Sequence, residues 1–483
     1  MKRACSLQTQ TRMKIHSKFI VAIIGIILPA ICFSDPKTNS VEPNAGIELV
    51  ITPYTTTIFT DGQNKSTIVV RVVDKAGDEI TNTDAPLQIL VKGNGSIFVD
   101  ESNGKQKQMV RKIQEGTWEA QLIRGSCSFS LIAGSTPDKI KVEVRSEGLK
   151  SASTEIHSIL PFKLLSPKKR QLKQTDKTIG KMIGADISFL PQLESRGIKF
   201  SDSGVEKDAI KILKDHGFNY IRLRIFNNPA ASKGYSPQKG FCDLEHTKQM
   251  ALRIKNAGMK LLLDFHYSDY WADPQQQNKP SAWEGLTDEK LAIALKDYTK
   301  EVIFALKSQG TSPDMVQIGN EINHGMVWPD GHIGNPDQLA RLIKAGVDGV
   351  KEVDPSIIIM LHVALGGQND ESVFWLDNMI ARGVEFDIIG LSYYPRWHGT
   401  LSDLKKNILD LISRYKKDIN LVEYSQKKQE LNDIVFNLPN GRGKGTCIWE
   451  PLSTWEQIFD KDGKSNELIK TYNKIADQYL IAK

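Results

Sequence analysis

One short stretch, residues 316–322 (VQIGNEI), joins an apolar run to an amide and a carboxylate. The run is short enough to form a buried strand, which places Asn320 and Glu321 at the C-terminal end of that strand. A second run, residues 419–423 (INLVE), also ends in a glutamate. Two further strand-and-helix pairs lie between these runs, so the two glutamates at strand ends predict one shared site.

The chain around this stretch alternates apolar runs with amphipathic helical segments. We predict strands at residues 182–187, 220–226, 260–265, 315–322, 357–363, 387–393, 419–424 and 445–449. We predict helices at residues 205–216, 243–257, 288–308, 336–353, 371–381, 401–415, 429–436 and 467–479. Eight such pairs indicate an α/β domain over residues 181–483 whose parallel strands close into a (β/α)8 TIM barrel. An open, doubly wound sheet is the alternative, but no G-x-G-x-x-G motif follows any of these strands.

The segment before the barrel, residues 45–162, consists of short β-rich runs separated by turn signals. These runs lie at residues 47–51, 66–73, 87–91, 117–123, 126–133, 139–144 and 152–159. Seven alternating strands at this spacing predict an all-β, Ig-like sandwich. Asp61-Gly62, followed by residues 69–77 (VVRVVDKAG), resembles the bacterial Ig-like modules of secreted proteins. We find no carboxylate pair or histidine cluster in this segment, so a spacer or docking module is favoured over a carbohydrate-binding domain.

Residues 1–34 predict a signal peptide for export. Lys14 and Lys18 precede an apolar run at residues 19–31, and small residues near position 34 fit a cleavage site. A lipid anchor on Cys32 is one alternative, and a permanent membrane span is another, for which the run is short. Export predicts an extracellular, cell-surface or periplasmic protein.

Charge and cysteine content exclude several classes of protein. The net charge of the whole chain is +6, but five of the basic residues and none of the acidic ones fall within the first 34 residues. The rest of the chain is therefore nearly neutral, and its charge would not recruit nucleic acid or an anionic membrane. The other cysteines are odd in number and widely spaced, which indicates neither a disulfide framework nor a zinc site. We interpret residues 163–180, which contain Lys168-Lys169-Arg170, as a solvated linker rather than a polyanion site. Nothing in the sequence indicates oligomer contacts, and a monomer is expected.

The expected barrel fixes where the chemistry is to be sought, because active sites of such barrels lie at the C-terminal strand ends. Glu321 and Glu423, on the fourth and seventh strands, are expected to face one another across the barrel mouth. Two carboxyl groups about 5 Å apart can cleave a glycosidic bond with retention, one as acid and then base, the other as nucleophile. The acid needs a pKa raised by burial and by its negative neighbour, whereas a cation such as Arg224 helps to keep the nucleophile ionised.

Two other interpretations of these acidic residues are open. An isolated glutamate at a strand end is often part of a salt bridge, but Asn320 directly before Glu321 favours a catalytic role. A metal site formed by His266, Asp264 and Glu321 is conceivable, yet no H-x-H or H-E-x-x-H spacing supports it. No cofactor is therefore expected.

Tryptophans are concentrated in the strand-to-helix connections and at strand ends. These are Trp271, Trp283, Trp328, Trp397, Trp449 and Trp455. Pyranose rings present apolar C–H faces that stack on indole rings, so an open row of tryptophans suits a polymeric sugar. Some of the six are expected to belong to the hydrophobic core.

Six motifs mark the predicted barrel: residues 184–188 (GADIS), 221–224 (IRLR), 264–274 (DFHYSDYWADP), 317–323 (QIGNEIN), 392–395 (SYYP) and 449–451 (WEP). Together they closely resemble the endo-β-1,4-galactanases, the arabinogalactan endo-galactosidase family of glycoside hydrolases. The resemblance covers about residues 181–479, and the motif HYSDYWADP is highly specific. It implies that the substrate is the β-1,4-galactan of pectin side chains.

The same resemblance implies hydrolysis with retention, with Glu321 as acid/base and Glu423 as nucleophile. It also implies that Asn320 binds the sugar hydroxyl next to the reacting carbon. The residues expected to contact substrate are Asp186, Arg222, Arg224, His266, Asp269, Trp271, Asn320, His362, Tyr393, Trp397 and Trp449. Cleavage within the polymer is favoured over cleavage at its ends.

The chain departs from the family pattern in two places. The family usually follows its nucleophile with Thr and a small residue, but here Tyr424-Ser425 follows Glu423. Some bacterial relatives carry a long calcium-binding loop between strands seven and eight, whereas only 25 residues separate Glu423 from Trp449. We therefore predict no calcium site there and a groove that is more open on that side.

The sequence thus predicts a secreted, retaining endo-galactanase whose Ig-like domain docks at a cell surface or acts as a spacer. A related barrel endo-glycanase acting on mannan or glucan is one alternative. A non-catalytic glycan-binding protein is another, but the presence of Glu321, Glu423 and Asn320 favours the enzyme.

Overall fold

The computed structural model describes residues 47–99, 110–453 and 457–481. Within these ranges an antiparallel β-sandwich precedes a closed parallel barrel, and both belong to one compact unit. The predicted signal peptide, the alternative anchor at Cys32 and Trp455 lie outside the described residues. Among the described helices, none combines the length and the apolar character that crossing a bilayer requires.

The described part of the sandwich, residues 47–99 and 110–159, contains ten strands. They are β1 (Glu48–Pro53), β2 (Thr57–Phe59), β3 (Lys65–Val73), β4 (Ala85–Lys92), β5 (Gly95–Phe98), β6 (Val110–Gln114), β7 (Thr117–Leu122), β8 (Ser126–Ala133), β9 (Lys139–Arg145) and β10 (Ala152–Ile159). One sheet has the order β1-β3-β8-β5 and the other the order β2-β10-β9-β4-β7-β6. Alternate residues such as Ile68, Val70 and Val72 on β3 are fully buried between the sheets, which is the expected packing of a sandwich.

All seven runs predicted for the sandwich are strands, and three further strands escaped prediction. Strands β2 and β5 have only three and four residues, too few to show an alternating pattern. Strand β6 lies at a sheet edge and exposes four of its five residues, so it has almost no apolar signal.

The barrel contains eight parallel strands, which confirms the predicted (β/α)8 fold. In their order around the barrel they are β11 (Met182–Asp186), β14 (Tyr220–Ile225), β15 (Lys260–Phe265), β16 (Met315–Ile318), β17 (Ile358–Val363), β18 (Ile388–Tyr393), β19 (Asp418–Tyr424) and β20 (Gly443–Trp449). Strands β12 (Ser201–Asp202) and β13 (Val205–Glu206) form a separate hairpin. The α-helices of this part of the chain are Leu190–Ser195, Ala209–Asp215, Leu244–Asn256, Asp288–Ser308, Pro336–Val353, Asn369–Ala381, Pro395–His398, Leu401–Tyr415, Lys428–Phe436 and Lys470–Gln478.

Two predicted boundaries differ from the structure by several residues. Strand β16 ends at Ile318 rather than at residue 322, because Gly319 adopts a φ of +81° and turns the chain before Glu321. The helix predicted to begin at residue 205 begins at Ala209. There the carboxylate of Asp208 caps the helix by accepting a hydrogen bond from the N–H of Ile210.

Side chains inside the barrel lie in layers, because residues i and i+2 of a strand point to the same side. The lowest layer is an apolar cluster that includes Met182, Tyr220, Leu262, Met315, Met360, Ile388, Val422 and Cys447. Two residues further along β14 and β15, the same inward side carries Arg222 and Asp264, both buried. The period of the strands therefore places charged groups directly above an apolar floor, towards the C-terminal mouth of the barrel.

The segment predicted as a linker, residues 163–180, is fastened to the N-terminal side of the barrel. The ammonium group of Lys177 donates to the carbonyl oxygen of Ile357 at 2.6 Å and pairs with Asp387 at 2.9 Å. The side-chain amide of Gln171 donates to the carbonyl oxygen of Ala381 at 2.9 Å. Most of the described side chains of this segment remain at least partly exposed.

The sandwich also contacts the barrel directly. The carboxylate of Glu371, fully buried in the helix Asn369–Ala381, accepts hydrogen bonds from the backbone N–H of Thr56 at 2.6 Å and from its hydroxyl at 2.7 Å. The imidazole of His157 on β10 stacks on that of His324 in the barrel, with ring centroids 3.9 Å apart. These buried polar contacts join the two domains independently of the linker.

The contact at Glu371 predicts a pH-dependent contribution to stability. Burial raises the pKa of Glu371 from 4.5 to about 7, so the folded protein holds this proton more tightly than the unfolded chain. The resulting stabilisation is complete below about pH 4.5 and disappears as the pH rises through 7. We compare wild type with Glu371→Gln, whose side chain does not titrate. The amount by which the unfolding free energy of wild type exceeds that of the variant should fall by up to about 3 kcal/mol as the pH rises from about 4.5 to above 7. Urea titrations at several pH values measure this free-energy difference. Asp370→Asn, which alters an exposed neighbour, is the control. A difference that does not change with pH contradicts the prediction.

Candidate active site

A cleft of about 460 Å³ opens at the C-terminal ends of the barrel strands. Ten of the predicted site residues line it: Asp186, Arg222, Arg224, His266, Trp271, Asn320, Glu321, Trp397, Glu423 and Trp449. Three predicted contacts do not line it, namely Asp269, His362 and Tyr393. The strand-end rule therefore locates the cleft, although it does not separate the residues that face it from those that support it.

The two glutamates meet at the base of this cleft. Carboxylate oxygens of Glu321 and Glu423 lie within 4.8 Å of one another, and both side chains are almost entirely buried. Glu321 reaches this position from a left-handed backbone conformation with φ 49° and ψ 51°, immediately before the 3₁₀ helix Ile322–His324. A separation of about 5 Å is that of retaining glycosidases, because it leaves room for a sugar carbon but not for an additional water.

Glu423 is surrounded by groups that stabilise its negative charge. The guanidinium of Arg222 donates to one carboxylate oxygen at 3.1 Å, and the hydroxyl of Tyr394 donates to the other at 2.9 Å. Burial raises the pKa of Glu423, while Arg222 and the hydroxyl of Tyr394 oppose that rise. Glu423 is consequently the carboxylate of the pair that is better suited to act in the ionised form.

Glu321 has the environment of a carboxylic acid that keeps its proton. Burial, followed by the nearby charge of Glu423, raises the pKa of Glu321 well above its usual value. The hydroxyl of Ser392 donates to one of its oxygens at 2.6 Å and only partly offsets this rise. Ser392 is itself held by Nε2 of His362 at 2.8 Å. The pKa of Glu321 is therefore raised more strongly than that of Glu423, as an acid that keeps its proton and an ionised nucleophile require.

Arg222 connects the two glutamates with the strands around them. Its guanidinium bonds to Asp186 at 3.0 Å and to Asp264 at 2.9 Å, in addition to Glu423. It also donates to the amide oxygen of Asn320 at 2.8 Å. The amide nitrogen of Asn320 donates to the carbonyl oxygen of Ala272 at 2.9 Å, so both ends of this amide are oriented.

The prediction that Arg224 compensates the nucleophile is wrong, because Arg222 does so. Both arginines point inward from β14, but Arg224 lies one layer higher and pairs with the fully buried Glu450. Its guanidinium lies 4.3 Å from the ring centroid of Trp271, and it donates to the hydroxyl of Tyr235 at 3.1 Å. Arg224 thus holds the aromatic wall of the cleft in place.

The predicted contact of Tyr393 with substrate is also wrong. Tyr393 is 1% exposed, and its hydroxyl donates to the carbonyl oxygen of Gly399 at 3.0 Å, away from the cleft. Successive residues of a strand point to opposite sides, so it is the next residue, Tyr394, that reaches Glu423. The motif SYYP contains both Tyr393 and Tyr394. Because adjacent residues of a strand point to opposite sides, this pair of tyrosines indicates that only one of them can face the cleft.

Asp269 and His362 support the cleft instead of lining it. The carboxylate of Asp269 accepts hydrogen bonds from the N–H of Asn228 at 2.9 Å and from the hydroxyl of Ser281 at 2.6 Å, which ties two connecting segments together. His362 is completely buried beneath Glu321 and bonds to Ser392. Burial lowers the pKa of His362 well below its usual value, so it is a neutral group that positions its neighbours.

The predicted tryptophans that the structure describes have different roles. Trp271 and Trp449 lie side by side on the cleft wall with ring centroids 6.3 Å apart, and Trp397 is 43% exposed at another part of the rim. Trp283 belongs to the core, and Trp328 packs against His332 at the contact with the sandwich. Of the six tryptophans singled out from the sequence, five lie in the described residues, and three of these five offer platforms for sugar rings.

The metal site considered from the sequence is not the arrangement that the structure forms. His266 bonds to Asp264 and accepts from the N–H of Ala272, so both of its ring nitrogens have protein partners. Within the described residues, the side chains that bring potential metal-binding atoms together are Glu321, His362 and Glu423. Arg222, Tyr394 and Ser392 already bond to these carboxylates, and a cation at Arg222 is the opposite of what a metal site favours.

Two further kinds of residue at the site were not predicted from the sequence. Ser392 bonds to Glu321, and Gln317 bonds to Arg222 and Asn320; these two residues stand in the motifs SYYP and QIGNEIN without being singled out. The other kind comes from the sandwich, where residues of β10 line the same cleft. No signal in the sequence links that strand to the barrel mouth.

Comparisons with known proteins agree with this geometry. The model of glycosyl hydrolase family 53 matches residues 182–433, which is just over half of the chain and includes Glu321 and Glu423. The model of glycoside hydrolase family 2 C-terminal domain 5 matches residues 49–155, within the sandwich.

Individual relatives show the same relationship. An uncharacterized protein of Niallia circulans is 41% identical over 312 residues, which cover 56% of this chain and 83% of that protein. The arabinogalactan endo-β-1,4-galactanase of Cellvibrio japonicus is 36% identical over 50% of this chain and 64% of its own length. The family 53 catalytic domain of Ignisphaera aggregans superposes with a TM-score of 0.59 at 31% identity, covering 65% of this chain and 99% of that domain. The chain described here belongs to glycosyl hydrolase family 53.

Proposed function

We propose that this protein is a retaining endo-β-1,4-galactanase that hydrolyses galactan and type I arabinogalactan, the side chains of pectin. The observation that carries the proposal is the pair of buried carboxylates within 4.8 Å of one another. Their surroundings give them different tasks, since Arg222 and Tyr394 stabilise charge on Glu423 while burial keeps the proton on Glu321. The galactanase of Cellvibrio japonicus, among the relatives, supports galactan as the polymer.

The first step forms a covalent intermediate. An oxygen of Glu423 attacks the anomeric carbon of one galactosyl unit, and the bond from that carbon to the glycosidic oxygen breaks. Glu321 transfers its proton to the departing oxygen, which leaves as a hydroxyl of the released chain. Attack also removes the negative charge of Glu423, and this lowers the pKa of Glu321 for its next task.

The second step releases the sugar with the original configuration. Glu321, now a carboxylate, takes a proton from water while the water oxygen attacks the anomeric carbon. The bond to Glu423 breaks, and both glutamates return to their starting protonation states. Asn320 is held by Arg222 and Ala272 beside this carbon, where its amide is placed to bind the adjacent sugar hydroxyl.

A panel of polysaccharides tests the proposed substrate. Purified protein is incubated with β-1,4-galactan, β-1,4-mannan and β-1,4-glucan, and reducing ends are counted while chain length is followed by size-exclusion chromatography. We expect rapid shortening of galactan alone, and NMR of the first products to show the β anomer. Preferred cleavage of mannan or glucan would identify a related glycanase, and no cleavage of any polymer would leave a glycan-binding protein.

We further propose export of the protein, on the basis of the predicted signal peptide, and action as a monomer. Pectic galactan is an extracellular polymer, so export would bring the enzyme to its substrate. Docking of the sandwich at a cell surface is compatible with its many exposed residues. Cell fractionation, together with mass spectrometry of the mature N-terminus, distinguishes free secretion from anchoring at Cys32.

The hydroxyl of Ser392 predicts a shift in the pH profile. Its hydrogen bond lowers the pKa of Glu321, so Ser392→Ala is expected to raise that pKa further. Because the first step needs the proton on Glu321, activity falls as the pH rises through this pKa. The alkaline limb of kcat/KM on galactan should therefore move to higher pH in the variant. Ser356→Ala, which removes an exposed hydroxyl, is the control, and an alkaline limb that stays in place or moves to lower pH refutes the assignment.

A further inference from the structure

We propose that the sandwich domain forms part of the binding site for the leaving group, so that galactosyl units released by cleavage contact β10. The inference rests on the proposed galactanase function and extends it to a domain outside family 53. The cleft is lined by barrel residues and also by Ser153, Thr154, Glu155 and His157 of β10. A domain that served only as a spacer would have no reason to present side chains there.

The alternation of β10 directs three of its four cleft-lining residues outward from the sandwich; the fourth, Thr154, lies between them. Ala152 and Ile156 are buried in the hydrophobic core of the sandwich. Residues at the intervening positions point to the opposite face, so Ser153, Glu155 and His157 are directed outward together, and all three line the cleft. Ser153 is exposed and Glu155 is half-buried, so both remain accessible to a ligand.

The position of the sandwich on the barrel rim identifies the end of the substrate that it contacts. His157 stacks on His324, three residues after Glu321, and Thr56 bonds to the same imidazole at 2.8 Å. Lys139 donates to the carbonyl oxygen of Gln275 at 3.2 Å in the neighbouring strand-to-helix connection. The sandwich is thus placed beside the carboxyl group that protonates the departing oxygen.

The other half of the rim is occupied by different groups. Trp449 on β20 and Asp186 on β11 are on the far side of Glu423 from Glu321 in the order of the barrel strands. Because the nucleophile bonds to the sugar that is retained and the acid protonates the sugar that departs, the retained chain extends towards Trp449. The leaving chain extends in the opposite direction, towards β10.

The chemistry of the β10 surface suits a neutral sugar. Glu155 is held by Lys139 at 3.4 Å and by His157 at 3.2 Å, and its side chain is still 32% exposed. Burial and the charge of Lys139 lower the pKa of His157 to about 3, so this ring is neutral near pH 7. A hydroxyl, a carboxylate and a neutral imidazole are hydrogen-bonding groups that match sugar hydroxyls.

A bulky substitution on β10 tests this inference with two substrates. Ser153→Trp is assayed on galactan, whose leaving group is a galactosyl chain, and on 4-nitrophenyl β-1,4-galactotrioside, whose leaving group is a small phenol. We expect kcat/KM on galactan to fall about tenfold, because binding energy of remote sugar units is used at the reacting bond. The value for the nitrophenyl substrate should change less than twofold.

Matched variants complete the design. Gln121→Trp adds the same bulk to an exposed position of β7, which two strands separate from β10 in the same sheet, and should leave both substrates unaffected. Glu155→Ala removes a hydrogen-bonding group without adding bulk. It should lower kcat/KM on galactan but not on the nitrophenyl substrate, and it serves as the second test if Ser153→Trp reduces the yield of folded protein. Thermal unfolding verifies that each variant is folded.

The outcomes separate this inference from the proposed function. If wild type cleaves galactan and both β10 variants match it, or if they lose both substrates equally, the leaving-group assignment is overturned. If wild type cleaves a different glycan, the proposed function fails, and the same comparison is made with that glycan and its nitrophenyl trioside, under the same criterion.

Discussion

Glu423→Ala should lower galactan hydrolysis by about 10⁴-fold or more, because removal of a nucleophile eliminates the covalent step altogether. The substitution also leaves Arg222 and the hydroxyl of Tyr394 facing an empty space of the size of a carboxylate. Sodium azide should enter this space and attack the anomeric carbon of 4-nitrophenyl β-1,4-galactotrioside. The product is then an α-glycosyl azide, since azide takes the place of the nucleophile and no second inversion follows.

The azide product makes this prediction specific to the role of Glu423. Rate measurements with and without azide, and NMR of the product, are the required observations. Glu430→Ala, which alters an exposed glutamate seven residues further along the chain, should retain wild-type activity. Residual galactan activity within tenfold of wild type, or a β-glycosyl azide, would show that Glu423 is not the nucleophile.

Glu321→Ala should produce a loss that depends on the leaving group. General acid catalysis contributes about 10²–10⁴-fold, so hydrolysis of galactan, whose departing oxygen needs a proton, should fall by that factor. The nitrophenolate of the aryl trioside departs without a proton, and formation of the covalent intermediate from that substrate should be affected far less. The intermediate then accumulates, because no base remains to activate water.

Azide again identifies the role. It should enter the space left by Glu321, attack the covalent intermediate and give a β-glycosyl azide, the opposite anomer from that of the Glu423 variant. A burst of nitrophenol in stopped-flow experiments reports the accumulated intermediate. Glu284→Ala, an exposed glutamate, serves as the control. Equal losses of kcat/KM, which reports formation of the intermediate, on galactan and on the aryl trioside are incompatible with Glu321 as the acid.

The barrel could be predicted because its strands are buried on both sides and read as mostly apolar runs between amphipathic helices. Residues 182–187, 220–226 and 260–265, for example, needed no knowledge of their partners to be recognised. The short strands β2 and β5 could not be recognised in this way, since their stability comes from neighbours in the sheet rather than from their own pattern. Local pattern is informative only where a segment is long enough to display it.

The two glutamates could also be predicted, because the ends of parallel strands converge at one mouth. Their supporting residues could not be assigned with the same success. Arg222 and Arg224 have the same residue type, the same strand and the same inward direction, and only their height in the barrel decides which one reaches Glu423. Tyr393 and Tyr394 are adjacent, and only the exact end of β18 decides which hydroxyl meets the carboxylate.

The sequence by itself determined the barrel, the sandwich and the acidic pair, since each follows from residue period and strand direction over short distances. Only the tertiary structure decided that the sandwich shares the cleft. The hydrogen bond from Thr56 to Glu371 joins residues 315 positions apart, and the pairing of two such surfaces depends on shape and on buried polar partners. Neither the shape of a surface nor its buried polar partners produces a repeating pattern in the sequence, because both arise only when separately folded surfaces meet.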